Sequence, residues 1–396
     1  MSSALSSNRK HIVLFGETNA GKSSLFNALL GQSRAIVSEI PGTTADPVSK
    51  AMELHGYGAV TLVDTAGLGD ESELGEARVQ KTKRWLDLAD LALYIIEPAK
   101  FNEEKFESMA AAFKERRMPF LLVWTKKDLA GNETPLLRGF RSVSVSVSDP
   151  DSITALRAAI IEILQKETAP EKSLIAGLVP KGGVVLLIAP LDAEAPEGRL
   201  ILPQVQLIRA CLDENIRCHI TVPETLPEAL SELPRIDLAI TDSQVFKQVG
   251  EIIPPEIPLT SFSILTARQK GDLAALYEGA QQIKLLKPGD RVLIAEACTH
   301  NTSHEDIGRV KIPRALEKAA GGKLAFTFYA GKEFPEDLED FKLVVHCGGC
   351  MLTPRMFWAR QNGAITRGVP FTNYGMALAA CTGILERATA IRKAAK

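Results

Sequence analysis

The chain has 396 residues, of which 45% are apolar, 24% charged and 6% aromatic, a balance that excludes a disordered or fibrous chain and, at ~100–200 residues per domain, points to two to four domains, with three expected. A formal net charge of −2 and the lack of Lys/Arg runs longer than Lys126-Lys127 or Arg116-Arg117 exclude a large nucleic-acid footprint. No stretch reaches the ~18 consecutive apolar residues of a membrane span, and the polar start MSSALSSNRK lacks the order of a secretory signal.

A cytoplasmic protein is therefore expected, with no membrane and no nucleic-acid partner, and its six cysteines should be thiols or metal ligands rather than disulfides. From His11 to about Lys166, strand-like runs (HIVLFG, AVTLVD, LALYII, FLLVW, SVSVSV) alternate with helix-like ones (SSLFNALLG, SITALRAAIIEILQK). That rhythm predicts a mostly parallel sheet covered by helices. The polar TAPEKS, Thr168 to Ser173, reads as a linker.

A second alternating block contains VVLLIA, the amphipathic LPQVQLIRACLDENI, CHITV and DLAIT, and ends near PPEIPLTSFS, which places a boundary at about Ser263. A third reads helix (DLAALYEGAQQI), strand (DRVLIAEA), helix (IPRALEKAAGG), strands (LAFTFYA, FKLVVHC) and helix (TPRMFWARQNG). The first and second blocks do not repeat one another recognisably. The expected fold class is α/β: a P-loop nucleotide-binding domain at 1–172, then two smaller α/β domains at 173–263 and 264–396.

After HIVLF comes Gly16-Glu17-Thr18-Asn19-Ala20-Gly21-Lys22-Ser23, which fits the P-loop pattern G-x-x-x-x-G-K-S/T between a strand and a helix. Its amides, from Gly16 through Ser24, can cradle phosphates at a positive helix N-terminus. Lys22 offers a charge to the β and γ phosphates, and the Ser23 hydroxyl can ligate Mg²⁺. Asp64-Thr65-Ala66-Gly67 ends another strand, where Asp64 can hold the Mg²⁺ water shell and the Gly67 amide can sense the γ-phosphate. Thr125-Lys126-Lys127-Asp128 ends a third. The Asp128 carboxylate can accept from guanine N1–H and the exocyclic amine, a donor pair adenine lacks, so GTP is expected over ATP.

These residues resemble the translation-factor-like small GTPases, above all the TrmE/Era-like branch. The resemblance implies that Pro41-Gly42-Thr43-Thr44 is the first switch, with Thr44 a Mg²⁺ ligand and catalytic group, and that Ser146-Val147 form the base-contacting loop. Thr125 stands where the branch has Asn, which should weaken base affinity without changing specificity, and Ala45 where it often has Arg. The residue after Gly67 is Leu68, not the water-positioning Gln of Ras-like enzymes. Asn19 resembles the residue that helps bind K⁺ in potassium-activated members. Glu76, in ESELGE, is spaced like the branch's water-positioning glutamate; a solvated acid on a switch helix is the other reading of it.

Cys298-Thr299-His300 ends one strand of the third block and His346-Cys347-Gly348-Gly349-Cys350 another. Three thiols and two imidazoles at two strand ends suit an iron–sulfur cluster or a structural zinc, and a redox C-x-x-C pair or unrelated buried cysteines remain alternatives. Cys211, Cys218 and Cys381 read as core or interface residues, and His304 as a loop residue.

A GTPase domain, a middle domain, and then C-x-H with H-C-x-x-C together resemble the FeFe-hydrogenase maturation GTPase family over the whole chain. The resemblance implies a GTPase, K⁺-stimulated, that scaffolds the H-cluster precursor and binds a 4Fe-4S cluster through Cys298, Cys347 and Cys350. The fourth place is left to an exchangeable ligand, His300, His346 or Glu296. It also implies a dimerising middle domain, with two radical SAM maturases and the apo-hydrogenase as partners. The competing expectation is a zinc-containing GTPase acting in RNA modification or ribosome assembly.

Overall fold

A computed structural model describes residues 9–31, 48–65, 85–129, 137–167, 173–191, 200–297, 307–331, 334–335 and 337–391. The chain divides into two compact units, one from Asn8 to Ala169 and one from Pro170 to Lys396.

The first unit is built on six strands, β1 (Lys10–Gly16), β2 (Val48–Leu54), β3 (Gly58–Asp64), β4 (Leu91–Ile96), β5 (Phe120–Trp124) and β6 (Ser142–Ser144), in the order β2-β3-β1-β4-β5-β6. All pairings are parallel except β2 with β3. That hairpin was not evident from sequence; it turns at Gly56 and Gly58, both at positive φ, a backbone region in which glycine alone is unstrained. β4, LALYII, is buried at every position, as a central strand covered on both faces must be. Helices among the described residues include α1 (Lys22–Gly31), α2 (Glu103–Glu115) and α3 (Pro150–Glu167). Asn102 caps α2 by accepting from the Lys105 amide at 2.9 Å, and Phe106, Ala110 and Phe113 at helical spacing form its buried face.

The second unit contains two parallel four-stranded sheets. One comprises β7 (Val184–Ile188), β8 (Arg217–Thr221), β9 (Leu238–Thr241) and β10 (Leu259–Ser261) in the order β10-β9-β7-β8; the other β11 (Arg291–Ala295), β12 (Ala325–Tyr329), β13 (Leu343–His346) and β14 (Phe371–Asn373) in the order β12-β11-β13-β14. Counted within each sheet, both orders read 2-1-3-4. The two blocks thus share a topology that their sequences conceal. In this order the connections diverge between the first and third strands, and ligands collect at the carboxyl end of that crevice.

Helices α4 (Leu202–Asp213), α5 (Leu226–Glu232), α6 (Phe246–Ile252) and α7 (Phe262–Lys270) belong with the first of these sheets. Helices α8 (Leu273–Gln281), α9 (Ile312–Ala320), α10 (Pro354–Thr366), α11 (Tyr374–Cys381) and α12 (Leu385–Ala388) follow. The boundary expected at about Ser263 falls inside α7. The chain end ties the two sheets together: Thr260 donates to Ala388 O at 2.8 Å, and the Arg387 guanidinium donates to the carbonyls of Gly250, Ile253 and Pro254 at 2.7–3.0 Å.

α8 lies so close to β14 that a Cβ on Gly279 would stand 2.2 Å from Phe371 O. Alanine ordinarily stabilises a helix interior by ~1 kcal/mol over glycine, whereas overpacking costs ~1–3 kcal/mol. Gly279→Ala should therefore lower the stability of the second unit in denaturant unfolding, and a stabilised variant would contradict this packing.

Candidate functional site

The described nucleotide residues gather at the carboxyl ends of β1, β3, β5 and β6. Gly16 closes β1 at φ +144°, and a Cβ there would lie 2.3 Å from Ile95 O, so only glycine lets the loop turn beside β4. Asn19 holds φ +63° and Gly21 φ +95°. Lys22 is buried and donates to Gly16 O at 3.0 Å and Glu17 O at 2.7 Å. Burial lowers its pKa, against the opposing charges of Asp64 and Glu17. Ser23 and Ser24 are exposed in the first turn of α1.

Ser23 donates to Asp64 Oδ2 at 2.6 Å, while Asp64 Oδ1 is buried without a hydrogen-bond partner. A hydroxyl beside a carboxylate with one unmet oxygen fits a hard dication or its water shell. Thr44, Gly67 and Glu76 lie outside the described residues.

Thr125 is buried, and its hydroxyl donates to Ala20 O at 2.7 Å with Ile96 O at 3.2 Å. The residue that departs from the family pattern thus pins the P-loop to the base-recognition strand. Lys126, at φ +56°, is held by Glu97 Oε2 at 2.8 Å, and its hydrogen bond keeps the Glu97 carboxyl below the usual range. The Lys127 amide donates to Val145 O at 3.2 Å, which joins Asp128, exposed, to the loop holding buried Ser146 and exposed Val147.

In the second unit, Ala295 of β11 sits opposite His346 of β13, so Glu296-Ala297 and Cys347-Gly348-Gly349-Cys350 leave the sheet together at its switch point. Cys347 Sγ accepts from the amides of Ala297 at 3.1 Å and Gly349 at 3.4 Å. Burial raises the Cys350 thiol, opposed by the Lys270 charge and the nearby amides of Cys350 and Met351. Gly349 is at φ +69°, and a Cβ there would be 2.6 Å from the Phe357 ring. Burial, reinforced by Cys350, pushes the Cys347 thiol up to about 11, so a metal would displace protons here. Thr353 caps α10, which starts beside the loop, by accepting from the Met356 amide at 3.3 Å.

His346, one of the candidate fourth ligands, sits in the core. Its ring is fully buried; Arg360 Nη1 lies 2.9 Å from Nε2, and Cys347 O 2.8 Å from Nδ1. A guanidinium can only donate, so Nε2 accepts and Nδ1–H donates. Burial, then the Arg360 charge, depresses its pKa to about 3, and Phe357 and Phe371 flank the ring. The Glu296 carboxylate accepts from the Tyr374 hydroxyl at 3.4 Å and has Arg309 Nε at 3.8 Å. Cys298 and His300 lie outside the described residues, among which no three Cys, His, Asp or Glu converge as a complete metal site.

Sequence reasoning passed over two residues. Buried Arg360 reads as one charge in TPRMFWARQNG, and buried Lys270 as an ordinary cation at a helix end. Elsewhere in the unit, Cys211 of α4 is a buried free thiol and Cys218 of β8 a half-buried one. Cys381 lies against the core behind β11 and β13.

A family model described as 50S ribosome-binding GTPase matches residues 11–126. The tRNA modification GTPase MnmE of Ralstonia nicotianae is 37% identical over 163 residues, covering 39% of this chain and 34% of that protein. Its counterpart from Nitratidesulfovibrio vulgaris is 39% identical over 158 residues, 38% of this chain and 34% of that protein. The chain thus spans about a third of the length of these curated relatives. The G domain of the T. maritima FeoB iron transporter is 25% identical, with a TM-score of 0.32, over 40% of this chain and all of that one.

The first unit, with its P-loop, Mg²⁺-type pair and guanine motif, is that of a GTP-hydrolysing P-loop protein. Two further models, the hydrogen maturase F dimerization domain at residues 174–271 and the hydrogen maturase F tetramerization domain at 274–391, together take in more than half of the chain. The chain belongs to the hydrogen maturase F family, a GTPase that associates with itself. Among the described residues no helix is long and apolar enough to cross a membrane.

Asp128→Asn should weaken GTP binding about 10- to 100-fold, the loss of a charge-assisted contact of ~1.5–3 kcal/mol, and raise tolerance for xanthine nucleotides. Nucleotide titration by calorimetry checks both, and unchanged GTP affinity would remove Asp128 from base recognition.

Proposed function

We propose that this protein is a GTP-dependent scaffold that holds a 4Fe-4S cluster on Cys298, Cys347 and Cys350 and carries the H-cluster precursor in FeFe-hydrogenase maturation. The observation that carries this reading is the arrangement of Cys347 and Cys350: two half-buried thiols at a switch point, with Cys347 Sγ met by the amides of Ala297 and Gly349. Amides aimed at sulfur favour thiolate-bound iron–sulfur clusters. Ala297, whose amide meets Cys347 Sγ, immediately precedes Cys298 in the chain.

Such a cluster, held by Cys298, Cys347 and Cys350, would supply an iron with a replaceable ligand. The protein's own residues half-bury the thiols, and the amides of Ala297 and Gly349 orient Cys347 Sγ. With His346 engaged in the core, Glu296, His300 or water is favoured as the exchangeable fourth ligand. The partners in this reading are the radical SAM maturases and the apo-hydrogenase. The middle sheet ends in β8, an edge strand whose Ile220 is 53% exposed; pairing of this edge between two copies would cover its unpaired backbone groups. The tRNA modification GTPases match between 31% and 49% of this chain, a likeness that fits in part the alternative of a zinc-containing GTPase in RNA modification or ribosome assembly.

Replacing any one of Cys298, Cys347 and Cys350 by Ser should abolish the electron paramagnetic resonance signal of the reconstituted cluster and leave GTP hydrolysis intact, since the two sites lie in different units. Zinc without acid-labile sulfide in anaerobically purified protein would favour the alternative instead.

GTP hydrolysis in this reading is slow and K⁺-stimulated. Leu68 replaces the water-positioning Gln, and exposed Asn19 is the P-loop residue that can present K⁺ to the β and γ phosphates, with Lys22 and Thr44 on the phosphates and Mg²⁺ and Glu76 orienting water. Steady-state rates at equal ionic strength should be higher in K⁺ than in Na⁺; equal rates would remove the monovalent cation from the mechanism.

A further inference from the structure

Resting on the cluster reading above, we propose that Lys270 is a positioning residue of the cysteine site, whose ammonium turns the C-x-x-C loop amides toward the sulfurs and raises the reduction potential of an anionic cluster bound there. Lys270 is the last residue of α7, 8% exposed, and comes from the other side of the sheet-to-sheet junction in sequence, some way before the cysteine loop. Its Nζ donates to Gly349 O at 2.9 Å, Leu352 O at 2.8 Å and Cys350 O at 3.3 Å. An ammonium has three N–H donors, and here three carbonyls of one loop receive them.

The peptides held by Lys270 also carry the amides nearest the second cysteine. Lys270 bonds the carbonyls of the Gly349–Cys350 and Cys350–Met351 peptides, and the amides of these same peptides, on Cys350 and Met351, favour the Cys350 thiolate against the effect of burial. Carbonyl and N–H point in opposite directions across a planar trans peptide, so fixing the one end aims the other. A cation bonded to the carbonyl also polarises the group and strengthens its N–H as a donor, as in any chain of hydrogen bonds.

The charge effect follows from the cluster's own charge. A 4Fe-4S core of charge 2+ on three thiolates carries one net negative charge, and one-electron reduction adds a second. A fixed cation and dipoles aimed at the sulfur stabilise the reduced form more than the oxidised one, and do so in a buried, weakly screened setting. Among the described residues, Lys270 meets the cysteine site through the three loop carbonyls.

The test uses the full chain, anaerobically reconstituted with iron and sulfide, in three forms: wild type, Lys270→Gln and Lys270→Arg. Iron and sulfide content and the midpoint potential, from a redox titration followed by electron paramagnetic resonance, are the readouts, with circular dichroism as the check on folding. The Gln variant is expected to hold its cluster at a more negative potential, or to lose iron that the Arg variant retains. A Gln variant with a wild-type potential would overturn the proposal. So would a folded Arg variant that loses its cluster, because the charge would then not be the feature that counts. Wild-type protein that takes up no iron and sulfide would overturn the cluster reading and this inference with it, whereas a normal wild-type cluster beside an unchanged Gln variant overturns this inference alone.

Discussion

A buried ammonium bonded to loop carbonyls underlies both sites of this molecule. Lys22 lies on the carbonyls of Gly16 and Glu17 in the P-loop, and Lys270 on those of Gly349, Cys350 and Leu352 in the cysteine loop. Burying an ammonium costs several kcal/mol unless its donors are met, so each lysine commits its loop to turn carbonyls inward. The loop amides are then left to face whatever anion the site receives. For Lys22, phosphate oxygens can replace the carbonyls; the three carbonyls around Lys270 already match its three donors.

Parallel sheets make this arrangement possible twice. Strands that run the same way deliver their loops to one edge, where helix N-termini and loop amides concentrate. In the first unit that edge collects the P-loop after β1, Asp64 after β3, the guanine motif after β5 and the Ser146 loop after β6. In the last sheet it collects the segments after β11 and β13, at the point where the chain reverses its direction of winding. The shared 2-1-3-4 order of the two smaller sheets means that the cysteine site occupies the crevice the topology would offer to any ligand. The chemistry there comes from side chains, while the place comes from strand order.

His346 illustrates how position in the fold decides the use of a reactive group. It directly precedes Cys347, yet β13 points its ring into the core between Phe357 and Phe371 rather than to the edge. Successive residues of a strand face opposite sides. Arg360, reaching from α10, completes the burial by donating to Nε2 and to Gly331 O. Thr125 shows the converse: a residue that reads as a weakened base contact holds the P-loop in register with β5.

The sequence by itself determined the GTPase unit nearly in full, because a P-loop, a Mg²⁺-binding acid and a guanine motif are local patterns whose residues bind through backbone turns encoded nearby. It also identified the strands that carry the cysteines, from their apolar runs. The β2–β3 hairpin, the common topology of the two smaller sheets, the core role of His346 and the engagement of Lys270 with the cysteine loop were decided only by the tertiary structure. Each depends on contacts between segments far apart in the chain, 79 residues for Lys270 and Gly349, or on which face of a strand meets the core, and neither leaves a local signature in residue order.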